Sequence, residues 1–299
     1  MIILPRPLHT TEQVSEFLSN VIYGDGSLSK RDKNALIRKI TKAEMQQASI
    51  IGKDTMNDKS YRSPDYADDE KRKILISKIY GELIKNKRPD NDDKIKLGYG
   101  GALPQTSIIC NKQAYIIIGL PASGKSGITE IISDSYGAII ADSDFAKRKL
   151  PEYKNDYGAS VVHKESTYIN QKVITYAIAN NINIAIPIIG NDQEKIIRLG
   201  TTLLNKGYEN HLILVRLDRV LATRRAADRF LKTTRYVPLA MIFDEYANDP
   251  TISYYDLKNN INGNKKIFKS YTMVSTNVER GEKFKIIDKT VNSPIINKE

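Results

Sequence analysis

Tryptophan is absent from this 299-residue chain, histidine occurs three times and cysteine once, at Cys110. One cysteine closes no internal disulfide and builds no cysteine cage, so a disulfide-stapled secreted scaffold and a tetrahedral zinc site are both excluded, and a reducing cytosol is the expected setting. Long apolar runs are missing too. The start Met1-Ile2-Ile3-Leu4-Pro5-Arg6-Pro7 has no basic segment ahead of its apolar residues, and neither a signal peptide nor a membrane span is expected. Acidic residues are in deficit, 35 Asp and Glu against 46 Lys and Arg, a net charge of +11. That surplus favours polyanionic ligands such as nucleotides, RNA or anionic lipid, or reflects only a Lys- and Asn-rich composition. No dense arginine block interleaved with aromatics marks a nucleic-acid channel, so nucleic acid is not the favoured partner.

What is present is Gly119-Leu120-Pro121-Ala122-Ser123-Gly124-Lys125-Ser126, which satisfies G-x-x-x-x-G-K-[ST] at every fixed position. The apolar run 114–118 before it reads as a buried parallel strand. Ile128, Ile131 and Ile132 after it recur at helical spacing up to Gly137. In a strand, glycine loop and helix of this kind, backbone N–H groups cradle phosphates. Lys125 reaches the β- and γ-phosphates, and the Ser126 hydroxyl ligates Mg2+.

Around this loop, strand candidates at 114–118, 138–141, 183–189 and 211–217 alternate with helical patterns. The expected fold is α/β, a P-loop NTPase-type, mostly parallel sheet with helices on both faces. The helices expected in this core run from about 159 to 180, 192 to 205, 219 to 232 and 238 to 248, and segments 271–275 and 283–287 flank Gly281 as a closing hairpin. Three segments follow: a helical N-terminal region over 1–93, a Gly-containing connector over 94–113 and the P-loop domain over 114–299. The N-terminal region carries a helical pattern capped at Thr10 or Thr11, a second from about Ser29 and a third from about 70 to 86, and shows no chemical motif.

The second strand ends in Asp142-Ser143-Asp144-Phe145. Taken as the neighbour of the P-loop strand, it delivers both carboxylates to the crevice at the carboxyl ends of the strands. One then helps hold Mg2+ while the other accepts a proton from an attacking hydroxyl; the alternative for Asp142 is a helix N-cap. Downstream, Arg229 and Arg235 are the candidate triphosphate clamp, while Arg224 and Arg225 are expected in solvent or against Asp218 and Asp228.

These residues together resemble the zeta-toxin kinases, over roughly 114–238 and more loosely the tail. The shared features are the P-loop, Asp142-Ser143-Asp144-Phe145, the turn Pro151-Glu152-Tyr153, Lys206-Gly207-Tyr208 before the fourth strand and two arginines on the closing segment. The resemblance implies phosphate binding by Lys125, Mg2+ binding by Ser126 with Asp142, Asp144 as general base and Arg229 and Arg235 as clamp. It also implies ATP or GTP as donor, a small nucleotide-type acceptor, and a proteinaceous antitoxin or chaperone as partner. The family's usual acceptor is UDP-N-acetylglucosamine. An effector branch phosphorylates nicotinamide dinucleotides, which adds translocation into another cell to the cytoplasmic setting. Toxin members end their third strand in Glu-Gly-Thr, whereas this chain reads Ile186-Pro187-Ile188-Ile189-Gly190, which turns the expectation toward an NAD-type dinucleotide. His163 and Glu165, with Asp142, are expected on the acceptor wall, although a lone histidine on an amphipathic helix also serves packing. Two other readings stay open: a polynucleotide 5′-kinase and a non-catalytic nucleotide-binding switch.

Overall fold

The computed structural model describes residues 6–24, 28–154, 158–233, 235–259, 266–279, 282–294 and 296. Helix α1 (Thr11–Glu16) starts at a capping box, in which the Thr10 hydroxyl accepts from the Gln13 N–H and the Gln13 side chain returns to the cap; it continues as a π-helical stretch, Phe17–Tyr23. Ser29 caps α2 (Lys30–Ser49) and Asp68 caps α3 (Asp69–Lys85). Strand β1 (Gln113–Ile118) leads through the glycine loop into α4 (Lys125–Tyr136), which stops at Gly137. Then come β2 (Ile139–Ile140), α5 (Ser143–Lys149), α6 (Gly158–Val161), α7 (His163–Ala179), β3 (Ile184–Pro187), α8 (Gln193–Asn205), β4 (Glu209–Arg216), α9 (Arg219–Lys232), α10 (Asp249–Lys258), β5 (Ser270–Ser275) and β6 (Lys285–Lys289).

The strands form one sheet in the order β2-β3-β1-β4-β5-β6, parallel except for the last pair. The tail does close as an antiparallel pair; Gly281 lies outside the described residues. β3 lies between β1 and β2, so the strand that ends at Asp142 is one place removed from the P-loop strand, a correction to the expected adjacency. The long helix expected from about 159 to 180 is two, because Val162 leaves helical geometry at ψ 5°. The segment expected as an α-helix at 238–248 contains a π-helical stretch, Met241–Tyr246.

Two apolar clusters organise the chain. The larger surrounds the sheet and takes in Leu75, Ile79 and Leu83 of α3. The smaller joins Phe17, Leu18, Leu36 and Ile40 to Ala226 and Phe230 of α9 and to Leu120 of the glycine loop. The two parts of the N-terminal region therefore serve different walls: α3 backs the sheet, while α1 and α2 lie against the arginine-bearing helix. Among the described residues no helix is long and apolar enough to cross a membrane.

Candidate active site

The glycine loop owes its shape to close backbone approaches. Gly119 has φ +153°, and a Cβ there would lie 2.5 Å from the Val215 carbonyl oxygen of β4, a rigid strand atom. Gly124 (φ +89°) is the N-cap of α4 and offers no side-chain cap, so the first N–H groups of that helix face the cleft and make a ready anion site. Thr276, just beyond β5, braces the loop: its hydroxyl donates to the Ser123 carbonyl at 2.6 Å, and Arg225 Nη2 donates to the Thr276 carbonyl at 2.9 Å. Lys125 Nζ donates to the carbonyls of Gly119 at 2.5 Å and Leu120 at 2.8 Å. Burial pushes its ammonium down to about 8, against the pull of Asp142 and Asp144.

Pro121, Ala122, Gly124, Lys125 and Ser126 line a cleft of about 790 Å³ at the carboxyl ends of the strands. Asp142 and Asp144 line it too. Asp142 is the N-cap of α5, its Oδ1 accepting from the Asp144 N–H at 2.8 Å, and burial raises its carboxyl. Burial also pushes the Asp144 carboxyl up, but Lys147 and Arg235 outweigh it and hold the group well below the usual carboxylate range. Arg235 Nη2 donates to Asp144 Oδ2 at 2.6 Å and Lys147 Nζ to Oδ1 at 2.9 Å.

Arg229 and Arg235 reach the same cleft. Burial and the neighbouring Arg235 push the Arg229 guanidinium down to about 10, and its buried Nε has no hydrogen-bond partner among the described residues. Six cationic side chains, Lys125, Lys147, Lys195, Arg225, Arg229 and Arg235, meet three carboxylates, Asp142, Asp144 and Asp192, so the cleft suits an anionic ligand. His163 lies on its wall, with burial pushing its pKa down, as a neutral imidazole at pH 7.

Glu165 does not reach the cleft. It is 1% exposed, and its carboxylate accepts from Thr55 Oγ1 at 2.6 Å and Arg72 Nε at 2.7 Å, while Arg72 Nη1 also donates to Glu152 at 2.7 Å. His163 and Glu165 stand two apart on α7, a spacing that sends side chains to different faces of a helix. The acceptor-wall expectation is corrected for Glu165: it ties α7 to α3. The pairing of Arg224 and Arg225 with Asp218 and Asp228 is corrected as well, while Arg225 is exposed as expected. Arg224 donates to the Ile22 carbonyl and lies over the Tyr23 ring, and Asp228 accepts from the Tyr23 hydroxyl at 2.5 Å. Asp218 caps α9.

The cleft also takes in residues that the sequence pattern did not single out, among them Lys147, Asp192, Lys195, Arg225 and Gln47. Lys147 had a signal, since it stands three residues after Asp144 on the same helix face. Arg225 carried only its charge, and Gln47 of α2 carried none.

Residues 105–289 match the zeta toxin family as a whole, more than half of the chain. The chain belongs to the zeta toxin family. Its members are kinases, and the P-loop, Asp144 and the two arginines all fall within the matched span. A curated relative, a UDP-N-acetylmuramate–L-alanine ligase of Desulforamulus reducens, is 28% identical over 176 residues, 58% of this chain and 36% of that protein. The chain thus spans little more than a third of that relative's length. Among solved structures, a chain of the PezAT chromosomal toxin–antitoxin system of Streptococcus pneumoniae superposes with a TM-score of 0.51 at 14% identity, covering 76% of this chain and 82% of that one. A chain of the AvrRxo1-ORF1:ORF2 complex does so with 0.50 at 12% identity, covering 78% and 70%. At such identities these two show a shared fold, the zeta toxin arrangement of a mostly parallel sheet with a P-loop.

Proposed function

We propose that this zeta toxin family protein transfers the γ-phosphoryl group of ATP or GTP to a hydroxyl of a small nucleotide-containing metabolite, with an NAD-type dinucleotide as the favoured acceptor. The observation that carries this reading is one cleft holding the P-loop lysine, an ionised carboxylate and two arginines. Lys125 and the α4 N-terminus bind the β- and γ-phosphates. Asp144 accepts the proton of the acceptor hydroxyl as its oxygen bonds to the γ-phosphorus and the bond to the departing nucleoside diphosphate breaks. Arg229 and Arg235 stabilise charge on the equatorial oxygens.

Magnesium fits this donor set. Mg2+ retains several waters and takes one or two protein oxygens plus phosphate oxygens, and the Ser126 hydroxyl and Asp142 carboxylate both line the cleft. When bound, the metal neutralises phosphate charge.

The acceptor preference rests on the end of β3. The Ile188 N–H donates to the Ile117 carbonyl and the Ile189 carbonyl accepts from the Gly119 N–H, both at 2.9 Å. Those backbone groups are spent on the neighbouring strand and loop, and Pro187, Ile188 and Ile189 otherwise offer the cleft apolar side chains. Such a wall suits a flat ring better than the hydroxyls of an amino sugar. Assays with Mg-ATP and each of NAD, NADP, UDP-N-acetylglucosamine and RNA 5′ ends test it. Phosphorylated NAD is expected, and efficient transfer to UDP-N-acetylglucosamine with both dinucleotides untouched refutes the preference. Family membership also supports a proteinaceous antitoxin or chaperone as partner; co-purification with the product of an adjacent reading frame tests that.

A further inference from the structure

The segment that carries Arg235 is held from outside the P-loop core. The last carbonyls of α9 have no partner within their own helix. Lys39 Nζ, from α2, fills that place by donating to the carbonyls of Phe230 at 2.8 Å, Leu231 at 3.3 Å and Thr233 at 3.1 Å, and it lies 4.8 Å from the centroid of the Phe230 ring. Five residues further along α2, Glu44 accepts from the hydroxyl of Tyr236, a ring that is 4% exposed and packs 4.6 Å from Phe230. Arg235 sits between these two attachment points and donates to Asp144.

Two guanidinium groups facing one cleft repel each other, and the lowered pKa of Arg229 registers that repulsion beside its burial. Asp144 holds the Arg235 guanidinium against that repulsion. A cation on the helix end and a carboxylate on Tyr236 hold the backbone that presents it, from either side. Ala222, Ala226 and Ala227, all buried on α9, keep the interhelix seam shallow, so α2 approaches closely enough for both contacts.

We propose, resting on the phosphotransfer reading above, that Lys39 and Glu44 of α2 are positioning residues that hold Arg235 of the clamp at the cleft. The N-terminal region is then a working part of the transfer site. Neither residue touches the reacting groups, so the effect belongs in turnover more than in nucleotide affinity.

The test uses the full chain and two independent readouts. By hydrogen exchange, Lys39→Met and Glu44→Gln accelerate the amides of Thr233 and Arg235 about tenfold while leaving α4 unchanged; unchanged exchange at those amides overturns the proposal. In transfer assays, each variant lowers kcat about ten- to a hundredfold with KM for Mg-ATP shifted far less, in line with the cost of a misplaced catalytic group. Lys39→Arg, which keeps the cation, restores most of the rate. In an Arg235→Ala background Lys39→Met costs nothing further, whereas an additive loss means that Lys39 acts elsewhere and overturns the proposal. Should the wild-type protein transfer no phosphate to any acceptor, the phosphotransfer reading falls, and the exchange arm alone decides whether α2 holds the arginine segment.

Discussion

Burial of Lys125 makes nucleotide binding a proton-uptake event at alkaline pH. Its pKa is pushed from the ordinary 10.5 down to about 8. At pH 8 about half of the molecules therefore carry a neutral amine, and at pH 9 about nine-tenths. Polyphosphate placed against Nζ favours the charged form and returns the pKa toward its ordinary value. Binding then takes up roughly 0.1 proton at pH 7, roughly 0.5 at pH 8 and roughly 0.9 at pH 9. Arg229, at about 10, adds only about a tenth of a proton at pH 9. Calorimetric titration of the protein with a non-hydrolysable Mg-ATP analogue, in buffers of different ionisation enthalpy, measures the uptake directly. Nucleotide binding with flat uptake from pH 7 to 9 would show that Lys125 is not the buried phosphate ligand. The same shift acts on stability. Between about 8 and 10.5 the unfolded chain binds more protons at this lysine than the folded one does. The lysine therefore weighs against folding below pH 8, and that burden lifts as pH rises through the window. Lys125→Met removes the rise.

Asp144→Asn is expected to lower turnover by about 10²–10⁴-fold while nucleotide affinity holds or tightens, because the cleft loses a negative charge; Asp142→Asn, at the helix cap, should cost less, and equal losses would indicate a shared metal role. Arg72→Met strands the buried carboxylates of Glu152 and Glu165, so thermal and denaturant unfolding should show a loss of about 3–5 kcal/mol; unchanged stability would contradict the tie between α3 and α7. Gly119→Ala drives a Cβ to 2.5 Å from the Val215 carbonyl, and loss of Mg-ATP binding in a folded protein is the outcome expected by circular dichroism and calorimetry together.

The parts of the site visible in the sequence are those whose chemistry is local. Gly119 to Ser126 carries its own geometry in its spacing, and Asp142 and Asp144 announce themselves by closing an apolar run. The first two helix starts are local in the same way: of Thr10 and Thr11 it is Thr10 that caps, and the helix expected from about Ser29 begins there, with Ser29 as its cap. What stayed hidden depends on partners far along the chain. Glu165 read as a pocket residue because Arg72, 93 positions earlier, gives no local sign that it will be buried beside it. Arg225, expected in solvent or against nearby carboxylates, is exposed but also bonds Thr276, 51 positions away. The order of β3 and β2 eluded the strand pattern, since a run of isoleucines records burial on both faces and not the identity of its neighbours. The role of α2 was invisible for the same reason: Lys39 and Glu44 look like an ordinary solvated helix face until α9 is laid across them.

Phosphoryl transfer with Asp144 as base can be followed with γ-labelled ATP, Mg2+ and NAD in the presence of wild-type or Asp144→Asn protein. The expected result is label in the dinucleotide with the wild type and transfer at least about a hundredfold slower with the variant, both proteins binding the nucleotide analogue alike. Label released only as inorganic phosphate, at the same rate by both proteins whatever acceptor is supplied, would contradict it.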